Sequence, residues 1–157
     1  MKKELLVMAA FYVPFCTCAA ETDLPSCGEN CTYTIENNVL TVKPIDKTQP
    51  AQVQQYTRDD TPWHGQGITK INIEAGITDI GGHAFEDMAT VTSLSLPEGL
   101  KTIAIEAFNG IKITRLDLPS TLTSIAGWAF ASAPLTEIND IPPGINTIAP
   151  YTFYGSK

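Results

Sequence analysis

The feature that most restricts the fold of this chain is a repeat of 22 or 23 residues running from Ile68 to Lys157. Its clearest marks are the pairs Ala84-Phe85, Ala107-Phe108, Ala129-Phe130 and Thr152-Phe153, whose phenylalanines are spaced by 23, 22 and 23 residues. Three further columns keep the same step: Ile73, Leu96, Leu118 and Ile141; Ile77, Leu100, Leu122 and Ile145; Ile80, Ile103, Ile125 and Ile148. Four columns in register over four copies point to a solenoid, in which one copy cannot enclose its own apolar face and stacking does so instead. The copies span 68–90, 91–112, 113–134 and 135–157.

Each copy opens with alternation of period two, as in Ile71/Ile73, Leu94/Leu96 and Leu116/Leu118. That pattern predicts a short strand with one face buried. Turn residues follow, among them Pro97-Glu98-Gly99 and Pro142-Pro143-Gly144, and proline there ends ladder pairing. A second alternating segment such as Ile77 to Ile80 comes next, and the Ala-Phe segment then turns the coil with its phenylalanine inward. The expected fold is a repeat solenoid of short β-strands joined by turns or short helical segments. Its outward strand positions are Lys70 and Asn72, Ser93 and Ser95, Arg115 and Asp117, and Glu137 and Asn139. Asp140 is an extra residue between Ile138 and Ile141, which predicts a bulge or shifted register in the fourth strand.

A solenoid needs its first coil covered, and residues 21–67 have the composition for an N-terminal cap. Tyr33, Ile35, Val39, Leu40 and Val42 flank Asn37-Asn38, where tolerance of positive φ favours a tight β-hairpin. Residues 46–62 are polar and read as a long loop, and Trp63 stands where an aromatic would seal the first coil.

Residues 1–20 have the layout of a secretory signal peptide: Lys2 and Lys3, an apolar run from Leu5 to Phe15, then the small residues before a cleavage site after Ala20. The run is too short to span a bilayer. A buried N-terminal helix, an anchor broken by Pro14, or lipidation at Cys16 or Cys18 are the other readings of this segment. Cleavage would leave Cys27 and Cys31, an even pair suited to a disulfide in an oxidising compartment. C-x-x-x-C can also supply two metal ligands, but only His64 and His83 could complete such a site. Asn30-Cys31-Thr32 is an N-x-T sequon, making Asn30 a glycosylation candidate on a eukaryotic secretory route. Loss of two lysines and one glutamate with the signal takes the net charge from −7 to −8. Such a surface repels phosphate backbones and anionic lipid, so neither nucleic acid nor a membrane is an expected partner.

Catalytic chemistry is hard to find. Ile80-Gly81-Gly82-His83 has the look of a functional loop, but the His83 column continues as Glu106, Trp128 and Tyr151, which reads as a variable surface position. No G-x-S-x-G, P-loop, H-E-x-x-H or calcium-loop pattern occurs. The chain is therefore expected to be no enzyme and to need neither cofactor nor metal. Trp128 and Tyr151 stand at equivalent places on adjacent coils, which should bring them together, as stacked coils repeat about every 5 Å. Exposed aromatics are common binding anchors, although each could instead pack over its own turn.

The run Ile-Thr-x-Ile-x-Ile, then Gly-Ile-Thr-x-Ile-Gly-x-x-Ala-Phe, from Ile68 to Phe85 resembles the BspA-like class of leucine-rich repeats. Cys27-Gly28, a hairpin, and Pro62-Trp63 before the first coil are similar to how many of those proteins begin. The resemblance covers residues 27–157 and implies a secreted or cell-surface protein of bacteria or anaerobic and parasitic protozoa. It also implies adhesion to host proteins and aggregation between cells. The sequence reaches Lys157 directly after an Ala-Phe-type segment with no closing cap, so the expected alternative to binding an extracellular protein or glycan is self-association through the last coil.

Overall fold

A computed structural model describes residues 24–157, so the expected signal segment, with Cys16 and Cys18, lies outside the described residues. Eleven short strands and no helix make up the described part. β1 (Ser26–Gly28), β2 (Cys31–Glu36) and β3 (Val39–Pro44) form an antiparallel meander. Asn37 and Asn38, both at positive φ (50° and 63°), make the tight turn expected between β2 and β3.

From β3 onward the pairing is parallel. β5 (Lys70–Ile73) lies beside β3 with Leu40 opposite Ile71, and β7 (Ser93–Ser95) lies beside β5 with Leu94 opposite Ile71. A second sheet runs β10-β8-β6-β4, where β4 is Ala51–Val53, β6 Ile77–Ile80, β8 Thr102–Ile103 and β10 Ser124–Ile125. A third, two-stranded sheet pairs β9 (Arg115–Leu116) with β11 (Glu137–Ile138).

Residues 46–62 are not simply a loop, because they contain β4, whose Ala51 and Val53 are buried while Gln52 faces out. The apolar/polar alternation Ala51-Gln52-Val53-Gln54 was the signal for it, masked by its polar surroundings. β4 takes its place as the edge of the second sheet and β3 pairs as a strand of the first, so the cap is itself a coil. Gly28 shows how closely β1 approaches β4: a Cβ on it would sit 2.2 Å from the Gln52 carbonyl oxygen.

The third side of each coil is the Ala-Phe turn, and its aromatic rings form a continuous stack. Trp63 heads it at 5.1 Å from Phe85; Phe85–Phe108 is 5.1 Å, Phe108–Phe130 5.2 Å and Phe130–Phe153 5.9 Å, all within 16° of parallel. Trp63 thus occupies the phenylalanine column of the cap coil, and its indole N–H donates to the Ala84 carbonyl at 2.8 Å. Along this side the amides of Phe85, Phe108 and Phe130 donate to Ala107, Ala129 and Thr152 of the following coil at 2.8 to 2.9 Å. On the strand sides the direction reverses, with Thr92 donating back to Thr69 and Ala104 back to Ile80, both at 3.0 Å. The coil thereby satisfies backbone groups that burial would otherwise leave unpaired.

The turn requires two left-handed residues per coil, at His83, Glu106, Trp128 and Tyr151, and again at Asp87, Gly110, Ser132 and Gly155. Most of these carry side chains and so hold a conformation costing about 1 to 2 kcal/mol for an L-residue. The fourth copy differs from the others. Pairing of β11 ends at Ile138 without a bulge, and the Asn139 side chain takes over the backbone's role, accepting from Leu118 N at 2.8 Å and donating to Leu118 O at 3.0 Å. In the last copy two expected core positions are open: Ile141, in line with the buried Ile73 and Leu118, is 42% exposed, and Ile148, in line with the buried Ile80, Ile103 and Ile125, is 51% exposed.

The position of a ring in the stack sets what it contributes. Phe108 is fully buried between two rings, so Phe108→Ala should cost about 3 to 5 kcal/mol in denaturant unfolding. Phe153 is half-buried against one ring, and its alanine variant should cost less than half as much. Equal losses would mean that the stack does not carry stability from coil to coil.

Candidate binding surface

The His83 column runs down one corner of the solenoid, and the structure gives its four members two different environments. At the N-terminal end His83 is no bare surface residue. Its left-handed backbone turns the ring over Glu86, with Nδ1 2.7 Å from Oε2. Glu86 is buried, and its Oε1 accepts from the Arg58 guanidinium at 3.0 Å. Arg58 also reaches Asp87 at 3.0 Å, and Asn109 spans Glu86 and Glu106 at 3.5 and 3.4 Å. Reading the column alone missed this group because Glu86 and Arg58 come from other columns, one of them in the cap.

Burial by itself would push the Glu86 carboxyl up, but hydrogen bonds from His83 and Arg58 outweigh it and hold the group below its ordinary range. A carboxyl depressed in the folded state adds stability above its unfolded pKa, about 4.3, and loses it as pH falls through the lower folded value. Wild type should therefore lose thermal stability relative to Glu86→Gln as pH drops through that range. Melting curves whose separation does not change with pH would show that Glu86 is not held ionised by these partners.

At the C-terminal end the same corner is aromatic. Trp128 and Tyr151 stack at 4.5 Å with planes 20° apart, and Tyr154 packs on both rings at 5.5 and 6.0 Å. Trp128 is half-buried, while Tyr151 and Tyr154 are 57% and 58% exposed. The adjacency expected for Trp128 and Tyr151 is present. Tyr154 was not anticipated, because its column begins with Glu86, Asn109 and Ala131 and shows no aromatic repeat.

The outward strand positions are less free than their exposure suggests. Arg115 forms a fork with Asp117, at 2.9 and 3.1 Å, and reaches Glu137 at 2.8 Å, so these three charges largely answer one another. Those contacts raise the Arg115 pKa, the Asp117 hydrogen bond first. Asn139 is taken up by Leu118, Lys70 is exposed, and Asn72 is half-buried within β5.

In the cap, Cys27 and Cys31 are joined, with both residues fully buried and Cα atoms 5.1 Å apart. Asn30 lies between them at positive φ, and its amide nitrogen donates to Asp46 O at 2.8 Å and Gln49 O at 3.1 Å. Its oxygen accepts from Asp46 N at 2.8 Å, so the side chain that would carry a glycan is holding the 46–50 segment.

Residues 60–157 match the profile of the BspA type leucine rich repeat region, in six copies. The chain belongs to this family. The match begins ahead of Trp63, in keeping with that residue's place at the head of the aromatic stack. Among solved structures, a leucine-rich repeat protein from Eubacterium ventriosum superposes with a TM-score of 0.65 at 18% identity, over 83% of this chain and 34% of that one. A leucine-rich repeat protein from Bacteroides ovatus is similar at a TM-score of 0.44 and 20% identity, over 81% of this chain and 44% of that one. The chain thus spans about a third of the length of the first of these proteins. No curated protein matches the sequence. Leucine-rich repeat folds of this kind commonly serve protein–protein interaction, and no helix among the described residues is long and apolar enough to cross a membrane.

Proposed function

We propose that this leucine-rich repeat protein is an extracellular recognition module without catalytic activity, and that it adheres to host or neighbouring cells through the Trp128–Tyr151–Tyr154 corner. One observation carries the reading: a bulky stacked aromatic pair is held at positive φ, 61° and 62°, on a solvent-facing edge. Stacking contributes about 0.5 to 1.5 kcal/mol, roughly what the left-handed backbone costs an L-residue. Folding alone therefore gives little reason for aromatics where glycine would serve, whereas clustered exposed rings are efficient binding anchors. An extracellular location is supported by the basic, apolar and small-residue order of residues 1–20 and by the Cys27–Cys31 pair. An extracellular protein is the favoured ligand class, and a glycan the other.

Ile141 and Ile148, 42% and 51% exposed, favour a second reading in which the last coil stacks on another copy. Sedimentation at high concentration separates the two, since a clean monomer excludes self-association.

Glycine at Trp128 and Tyr151 relieves the backbone while removing the rings. The double variant should bind epithelial-cell surfaces or an immobilised matrix-protein extract at least roughly tenfold more weakly, as expected for loss of anchor residues. Its melting temperature should stay within a few degrees of wild type. Unchanged binding would remove the aromatic corner from the mechanism.

A further inference from the structure

The other end of the same corner has a chemistry that a protein-binding face does not need. His83 Nδ1, Glu86 Oε2 and Glu106 Oε2 converge, with His83 Nδ1 2.7 Å from Glu86 and 3.9 Å from Glu106, and all three atoms lie within 4.8 Å of one another. Four-coordinate zinc, with bonds of about 2.0 to 2.2 Å to nitrogen and carboxylate oxygen, needs its donors roughly 3.3 Å apart. The three atoms bracket that spacing. The adjustment falls to the two partly exposed side chains, His83 opening slightly from Glu86 and Glu106 closing in, while Glu86 stays held by Arg58.

Two further observations favour an ion at this cluster. Arg58 engages Glu86 Oε1 and leaves Oε2 directed at His83. Glu86, Glu106 and Asp87 put three carboxylates around the Arg58 guanidinium, an excess of two negative charges that a dication balances.

We infer that His83, Glu86 and Glu106 form a three-ligand site for a zinc-class divalent cation, open at a fourth position toward the hollow they line with Gln55, Thr57 and Arg58. The mixed nitrogen and oxygen donor set suits zinc rather than calcium or magnesium, which take all-oxygen shells. Binding needs the lone pair of His83 Nδ1, so any proton on that nitrogen leaves to solvent as the bond to the metal forms. The site joins the first two coils, through His83 and Glu86 on one and Glu106 on the next. The bound ion therefore acts as a clamp between repeats, independently of the aromatic end of the corner.

Zinc chloride titrated calorimetrically into the chelator-treated full chain provides the test, with Cys16→Ser and Cys18→Ser introduced so that thiolates do not compete. One saturable site is expected, together with a rise in melting temperature, and neither calcium nor magnesium at the same concentration should reproduce it. His83→Ala and Glu106→Gln should each weaken binding by roughly tenfold or more, as loss of a metal-site partner does. His64→Ala should have no effect. Glu106→Gln preserves side-chain size at a partly exposed position, so it reports on the site even if His83→Ala is poorly folded. Absence of saturable binding, equal affinity in the Glu106→Gln protein, or equal response to calcium would overturn the assignment.

Discussion

Stacking of one coil on the next is the constraint on which everything else in this molecule depends. A single copy of 22 or 23 residues cannot bury its apolar face alone, and the coils on either side must cover it. The structure meets that constraint with hydrogen-bonded ladders on its strand sides and an aromatic column from Trp63 to Phe153 on its turn side. Because amides donate forward along the turns and backward along the strands, each interior coil is tied to both neighbours by backbone as well as by packing. Trp63 lets a cap of unrelated sequence join the column. The indole covers Phe85 as another phenylalanine would, and its N–H finds the Ala84 carbonyl that a plain ring would not use.

The same geometry creates the corner that carries the candidate binding residues. A turn tight enough to carry a phenylalanine inward every coil holds the residue two before it in the left-handed region, and its side chain leaves the coil at an edge. Successive coils bring these side chains into a row about one coil apart, where sequence variation has little effect on the core. The row can therefore change from His83 and Glu106 to Trp128 and Tyr151 within one architecture. Variability in this column marks freedom from packing, and here that freedom places a charged cluster and an aromatic cluster side by side.

Much of the molecule was legible before any coordinates. The periodic columns pointed to the solenoid, the inward phenylalanines and the adjacency of Trp128 and Tyr151, and the tolerance of Asn37-Asn38 for positive φ pointed to the hairpin, because each depends on a fixed period or on local turn chemistry. β4 was less visible, since two small apolar residues among glutamines and prolines carry a weak alternation signal, and only pairing with β6 makes them a strand. The response to Asp140 was also hidden: an inserted residue predicts a bulge, but whether a side chain such as Asn139 can replace the lost backbone bonds depends on how close Leu118 lies.

The period by itself determined the fold class and the core columns of the first three coils, because stacked coils bury a residue that recurs at every turn, whereas Ile141 and Ile148 of the last coil are exposed. Tertiary structure alone decided the rest. It turned His83 toward Glu86 and brought Arg58 out of the cap to neutralise part of a buried carboxylate. It also added Tyr154 to the aromatic pair and occupied Asn30 and Asn139 with backbone groups. These contacts join residues from different columns and from outside the repeat, where no period relates one position to another and only the path of the chain sets the distance.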